Sequence, residues 1–333
     1  MNHKIKSVIL GHAVGDALGV PVEFASREEL DQNPVEDMEG FGTYPLPAGC
    51  WSDDTSMSIA ALDSLADGEI HWDQIMTNFG KWYYQDAYTP TGEMFDVGNT
   101  CSIAIENYCK HRKHTWECGV NTERANGNGS LMRIHPFSLY LYCKNNFDLE
   151  TIHRASALTH AHKRSQIACG IYSFVLWELL KKPSKAAVQL GLCRAWRYYK
   201  QEPENSVYYK LYSKIGLVDA HFTDATGIEY PPRTEIQSGG YVVHTLEAAI
   251  WCLLTTRSFE ECVLKAVNLG DDTDTVAAVA GGLVAVQPVL DDIQVEAGQF
   301  HNAEVVHGMG NHMELVVVVS LTAQLHQSVQ LGQ

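Results

Sequence analysis

Two acidic clusters, Trp51-Ser52-Asp53-Asp54-Thr55 and Gly270-Asp271-Asp272-Thr273-Asp274-Thr275, lie more than 200 residues apart in a chain of 333. Each sets adjacent carboxylates beside hydroxyls, and each runs straight into an apolar helical pattern. The segment after the second, Val276-Ala277-Ala278-Val279-Ala280-Gly281-Gly282, consists of small residues and is expected to be a deeply packed helix. Carboxylates at the head of a buried helix repel one another and lose hydration, at a cost of several kcal/mol unless a counter-ion joins them. Oxygen donors of this kind suit hard divalent cations such as Mg²⁺, Ca²⁺ or Mn²⁺, whereas zinc would call for His and Cys. Taken alone, Ser52-Asp53-Asp54 is also an ordinary helix cap. The pair of clusters shifts the balance to a metal site: if the fold joins them, the chain builds an oxygen-lined site for cations.

The rest of the chain reads as helix. In Ile5–Leu18 the residues Ile9, Leu10, Ala13, Val14, Ala17 and Leu18 recur at three- and four-residue steps. Gly11, Gly15 and Gly19 give the same segment a second face without side chains, suited to close helix packing or approach to a ligand. Further helical patterns cover Thr55–Leu65, Trp72–Tyr84, Thr100–Tyr108, Leu149–Leu158, Arg164–Leu180, Ala186–Tyr199, Val242–Leu254, Phe259–Asn268, Thr275–Val286 and Glu314–His326. Strand-like alternation is scarce, so the expected fold is all-α, a single domain over 1–333. Gln201–Gly240 is long for a structureless loop and predicts a short helix around Ser206–Ile215 or a surface flap.

Composition narrows the function classes. With 45% hydrophobic residues the chain can bury a large core. It has no run of about 18 apolar residues, so a transmembrane helix is not expected, nor is a secretory leader at its start. Nine cysteines without a Cys-x-x-Cys pair fit reduced thiols in the cytoplasm. A formal net charge of −16 argues against nucleic acid as the main partner.

Several other segments carry chemistry-bearing residues. Asp96-Val97-Gly98-Asn99-Thr100 opens one helix, and Asn126-Gly127-Asn128-Gly129-Ser130-Leu131-Met132-Arg133 precedes another apolar stretch. Glycines at such entrances leave backbone N–H groups free for phosphate oxygens, although tight turns need the same residues. Neither segment matches a P-loop or a dinucleotide fingerprint. Glu23 leaves the first helix through Pro21-Val22, His160 stands at a helix end, and Tyr241 follows Gly239-Gly240.

Together and in this order, these elements resemble the ADP-ribosylglycohydrolase family. The resemblance rests on Gly11-His12-Ala13-Val14-Gly15-Asp16-Ala17-Leu18-Gly19 with Glu23, on Trp51–Thr55, Asp96–Thr100 and Gly127–Arg133, and on Thr159-His160, Gly240-Tyr241 and Asp272–Thr275. It spans about residues 5–290 and implies an orthogonal helical bundle around two Mg²⁺ or Mn²⁺ ions. It also implies that Ser52, Asp53, Asp54, Asp272, Asp274 and Thr275 are the metal ligands. Gly98, Asn99, Asn126, Gly127, Asn128, Gly129 and Ser130 would hold ADP-ribose, with His160 on its diphosphate side and Tyr241 against the ligand. Asp96 resembles the carboxylate that faces the guanidinium in arginine-directed members, and Glu23 the acidic gate near the metals. Position 126 is Asn where some relatives carry an aromatic for the adenine.

The reaction so implied is hydrolysis of the N-glycosidic bond between ADP-ribose and a protein arginine, with Asp96, Glu23 and Asp272 as the catalytic carboxylates. The partners would be ADP-ribosylated protein, ADP-ribose, and an ADP-ribosylating enzyme or toxin as biological counterpart. The resemblance also admits cleavage of another ADP-ribose linkage, on serine, nucleic acid or a small molecule. A binding protein that neutralises a toxin is the reading from a different class. About ten residues precede Gly11, too few for a long arm at ~3.3 Å per residue.

Overall fold

The computed structural model describes residues 2–201, 203–215 and 231–286; the helical pattern expected at Glu314–His326 lies outside them. The described residues form thirteen α-helices: α1 (Asn2–Gly19), α2 (Arg27–Gln32), α3 (Asp53–Ser64), α4 (Trp72–Gln85), α5 (Asn99–Cys109), α6 (His135–Cys143), α7 (Leu149–Ala157), α8 (Lys163–Lys181), α9 (Lys185–Tyr199), α10 (Pro203–Tyr209), α11 (Val242–Thr255), α12 (Phe259–Val267) and α13 (Thr273–Val284). β-pairing among them is limited to two isolated bridges, Val120 with His160 and Gly127 with Tyr241. The all-α expectation therefore holds.

Helix starts follow local chemistry. Ser52 caps α3 by accepting from the Asp54 N–H, Asp148 caps α7, and Ser184 and Ser258 cap α9 and α12. Two helices escape the sequence patterns. Six-residue α2 is too short for a period, although Ser26 and Glu29 form a complete capping box. Helix α6 is apolar nearly all round, with His135, Pro136, Phe137, Ser138, Leu139, Leu141 and Cys143 buried, so no polar face marks its period. The short helix expected near Ser206–Ile215 is present as α10 followed by 3₁₀ turns over Lys210–Ile215, with Tyr212 wholly buried.

The centre of the bundle is the pair α1 and α13. All twelve residues of α13 are buried. The glycine face of α1 lies against it so closely that a Cβ on Gly15 would stand 2.1 Å from the Ala277 carbonyl oxygen, and one on Gly19 would stand 2.3 Å from the Asp274 Cα. By length and composition alone, His3–Val22 is apolar enough to cross a membrane, with a mean hydropathy of 1.3. In this fold 67% of that stretch is buried, against α13, α12 and α3, as expected of a core helix. Helices α3 and α4 pack on one side of the centre and α8 and α9 on another, around one apolar core.

Candidate metal centre and active site

The two acidic clusters meet. Close packing of α1 on α13 brings the end of α1 to the start of α13, where the Thr273 hydroxyl donates to the Gly19 carbonyl at 2.8 Å. Asp16, one helical turn back on α1, draws in the start of α3. Its carboxylate accepts from the Ser52 N–H (2.9 Å), the Thr55 N–H (3.0 Å) and the Thr55 hydroxyl (2.6 Å). The clusters then touch directly, with the Thr275 hydroxyl 3.2 Å from Asp54 Oδ2. Ser52 Oγ lies 3.3 Å from the same oxygen. Glu23 and Asp96 come in from the loops after α1 and before α5. With Asp274 they each place one carboxylate oxygen so that all three lie within 4.8 Å of one another.

Seven carboxylates thus share one region: Asp16, Glu23, Asp53, Asp54, Asp96, Asp272 and Asp274. No salt bridge among the described residues pairs a lysine or arginine with any of them. Burial and mutual repulsion push them up. Asp53, Asp54 and Asp274 are raised well above the usual carboxylate range, by burial first and neighbouring acids second. Glu23 rises to about 8 through burial, then Asp96, while the Tyr44 hydroxyl beside it pulls the other way. Burial lifts Asp16 to about 6 in spite of its three hydrogen bonds from Ser52 and Thr55.

The donors fit cations. Glu23 Oε2, Asp54 Oδ1 and Asp272 Oδ1 are buried oxygens without a hydrogen-bond partner among the described residues. An orphaned, repelled carboxylate oxygen is costly unless a positive ion takes the place of water. The cluster is all oxygen, and so is matched to a hard ion. Asp272 stands at the N-cap of α13 yet makes no cap bond. Its Oδ2 instead accepts from Asn128 Nδ2 at 3.0 Å, which links the carboxylates to the second glycine loop.

That loop is stitched to the start of α11. The Asn128 N–H donates to the Gly240 carbonyl (3.0 Å), and the Val242 N–H to the Asn126 carbonyl (3.0 Å). Asn128 Nδ2 also reaches Thr245 Oγ1 at 3.0 Å. His160 is buried beneath the loop, where a Cβ on Gly129 would meet its ring at 2.9 Å. Its Nδ1 lies 2.9 Å from Thr159 Oγ1, and burial, then the buried Arg133, bring it down to about 3, so the imidazole is neutral. Asn126 is engaged within the protein, Oδ1 accepting from Ser165 and Nδ2 donating to the Glu123 carbonyl. Ser130 is fully buried, its hydroxyl 2.9 Å from Ser156 Oγ. Gly98 and Asn99 are exposed at the start of α5, and Tyr241 is half-buried with the Arg164 guanidinium 5.6 Å from its ring.

Two participants were not singled out from the sequence. Asp16 ties α1 to α3, and an acid inside an otherwise apolar helix was the signal for it. Tyr44 lies beside Glu23 and against Phe95, with ring centroids 4.9 Å apart. No local pattern around Tyr44 marks that contact.

The raised carboxylates predict the pH response of chelated protein. The folded state holds protons that the unfolded chain would release, so this stabilisation is complete below about pH 4.5 and fades as pH rises through the folded values. Glu23 alone, moved from 4.5 to about 8, corresponds to a few kcal/mol. In EDTA the melting temperature is expected to fall between pH 5 and pH 8, and excess Mg²⁺ or Mn²⁺ should recover it at pH 8. Calorimetric scans across that range check this; a flat profile in EDTA would contradict the buried charge cluster.

Fold and site together define a class: all-helical proteins with a buried cluster of carboxylates suited to hard cations. A family model described as ADP-ribosylglycohydrolase matches residues 1–290. The chain is 32% identical over 281 residues to the ADP-ribosylarginine hydrolase Tri1 of Serratia proteamaculans, covering 84% of this chain and 69% of that one. It is 31% identical over 288 residues to the ADP-ribosyl-dinitrogen reductase glycohydrolase of Rhodospirillum rubrum, covering 85% of each. A solved ADP-ribosylglycohydrolase-related protein complex superposes with a TM-score of 0.71 at 27% identity, covering 98% of each chain. This chain belongs to the ADP-ribosylglycohydrolase family.

Proposed function

We propose that this protein removes ADP-ribose from modified protein by hydrolysing the N-glycosidic bond to arginine, with two Mg²⁺ or Mn²⁺ ions as cofactors. The observation that carries the reading is the convergence of the two acidic clusters, with Thr275 on Asp54 and orphaned oxygens on Glu23, Asp54 and Asp272. Ser52, Asp53, Asp54, Asp272, Asp274 and Thr275 are the proposed ligands. Bound there, the cations would supply the positive charge that grips ribose hydroxyls and acidifies water.

The chain's own groups have separate tasks in this reading. The Gly98-Asn99 and Gly127–Gly129 backbones would take the diphosphate, and neutral His160 would lie under it. Tyr241, braced by Arg164, would give a ring face to the ligand. Cleavage develops positive charge at the anomeric carbon, which nearby carboxylates favour. Guanidine leaves readily only when protonated, so Asp96 and Glu23 would hold its proton and its charge. The arginine linkage is supported by Asp96 and by the ADP-ribosylarginine hydrolase named among the relatives. Nine unpaired cysteines support a reducing setting, the cytoplasm.

Arginine-, serine- and DNA-linked ADP-ribose, each incubated with Mg²⁺, Mn²⁺ or EDTA, test this. Free ADP-ribose should appear from the arginine conjugate with either cation and not with EDTA. Release from the serine or DNA conjugate alone would move the assignment to another linkage. Tight binding of an ADP-ribosylating toxin without turnover would make it a binding protein.

A further inference from the structure

A second pocket lies away from the carboxylates, between α4 and α5. It has a volume of about 520 Å³ and is lined by Thr77, Gly80, Lys81, Tyr84, Gln85, Tyr108, Cys109, Arg112 and Lys113. Three of these nine residues are cationic and none is acidic, in a chain whose formal net charge is −16. Arg112 and Lys113 belong to the basic run Lys110-His111-Arg112-Lys113-His114. The run folds back at the end of α5, where the His111 N–H donates to the Glu106 carbonyl, the Lys113 N–H donates to the Asn107 carbonyl, and Arg112 takes a φ of 52°. None of Lys81, Arg112 and Lys113 has an ion-pair partner among the described residues, although the Lys81 ammonium donates to Asn78 Oδ1 at 2.9 Å.

The walls add apolar ring surface to this charge. Tyr84 is 42% exposed, with the Lys110 ammonium 5.3 Å from its ring. Tyr108 is held in place by its hydroxyl, which donates to the Asp73 carbonyl at 3.0 Å. At the floor Gly80 lets α4 approach α5 closely, since a Cβ there would lie 2.6 Å from Cys109 Sγ. Unpaired cations repel one another and gain most from an anion that several of them share. A cavity of this volume falls within the range of small-molecule sites and is small for a folded partner's surface. Flat ring walls beside a three-cation end match a ligand with a planar base and a phosphate group.

We propose that this pocket binds a nucleotide-class anion, its phosphates on Lys81, Arg112 and Lys113 and its base against Tyr84 or Tyr108. The site is separate from the catalytic cleft: α5 begins at Asn99 and ends at Cys109, so roughly 16 Å of helix lies between them.

The test uses the full chain in EDTA with ADP as the probe; the glycine backbones of the first site would still take a diphosphate there, so the double variant and the labelled peptide tell the two sites apart. Calorimetry should give at least tenfold weaker ADP binding for Arg112→Glu/Lys113→Glu than for the unaltered protein, and weaker binding for both as salt rises. Basal hydrolase activity of that double variant should be unchanged, since both residues are exposed and remote from the carboxylates. Photolabelling with an azido derivative of ADP should mark a peptide containing Tyr84 or Tyr108. Equal affinity in the two proteins, or labelling confined to segments around Gly127 and Tyr241, would overturn the proposal. Binding of poly-glutamate without binding of ADP would overturn it too, and would reassign the pocket to an acidic protein segment.

Discussion

Asp272→Asn is expected to lower turnover of ADP-ribosyl-arginine by ~10³-fold or more, about 4 kcal/mol of lost transition-state stabilisation. The change is nearly isosteric, and Asn can still accept from Asn128 Nδ2 through one oxygen. What it loses is a charge and the buried Oδ1 that no group among the described residues satisfies. The effect on stability should therefore run opposite to the effect on activity. In EDTA the variant should melt at or above the temperature of the unaltered protein, because one repelling carboxylate is gone. Adding Mg²⁺ or Mn²⁺ should stabilise it far less than it stabilises the unaltered chain. Calorimetric melting with and without cation, run beside the hydrolase assay, separates these outcomes. Full turnover by this variant would remove Asp272 from the proposed metal site.

Gly15→Ala should unfold or severely destabilise the protein, by ~3 kcal/mol or more. Inside an exposed helix the same exchange would help by up to ~1 kcal/mol, since alanine is the better helix former. Here the added Cβ would stand 2.1 Å from the Ala277 carbonyl oxygen and 2.9 Å from the Ala278 nitrogen, both backbone atoms that no rotamer can move. The two central helices would have to separate, a costly response in a close-packed core. Separation would also part Gly19 from Asp274 and so loosen the carboxylate cluster. Gly239→Ala is the control, because a Cβ there meets nothing within 4 Å. Denaturant melts of both variants provide the check, and a Gly15→Ala protein as stable as the control would contradict the α1–α13 contact.

Much of the helical inventory was readable from residue order because most helices carry a cap or an apolar stripe. Ser52 and Ser258 mark where α3 and α12 begin. The amphipathic patterns of α4, α7 and α12 follow from one face meeting solvent. Helix α6 could not be found that way, since burial on nearly every side erases the period. At the candidate site, the acidic clusters were visible as chemistry that no solvated surface explains. Asn126 shows the opposite case. Its place in the Gly-Asn segment suggests ligand contact, yet its side chain bonds Ser165 and the Glu123 carbonyl. Side-chain direction depends on partners distant in the chain, and residue order does not carry it.

Residue order by itself showed two sets of hard-ion donors, each at the head of an apolar helix, where carboxylates lacking a partner are costly. It determined as well that α1 would present a bare face, since glycines four apart line one side of a helix. Tertiary structure alone decided which helix fills that face and which oxygens are left without partners. It also placed Glu23 and Asp96 beside Asp274 and set Tyr44 next to Glu23. Those outcomes depend on contact between segments remote in sequence, where sub-ångström packing governs distance and distance governs charge.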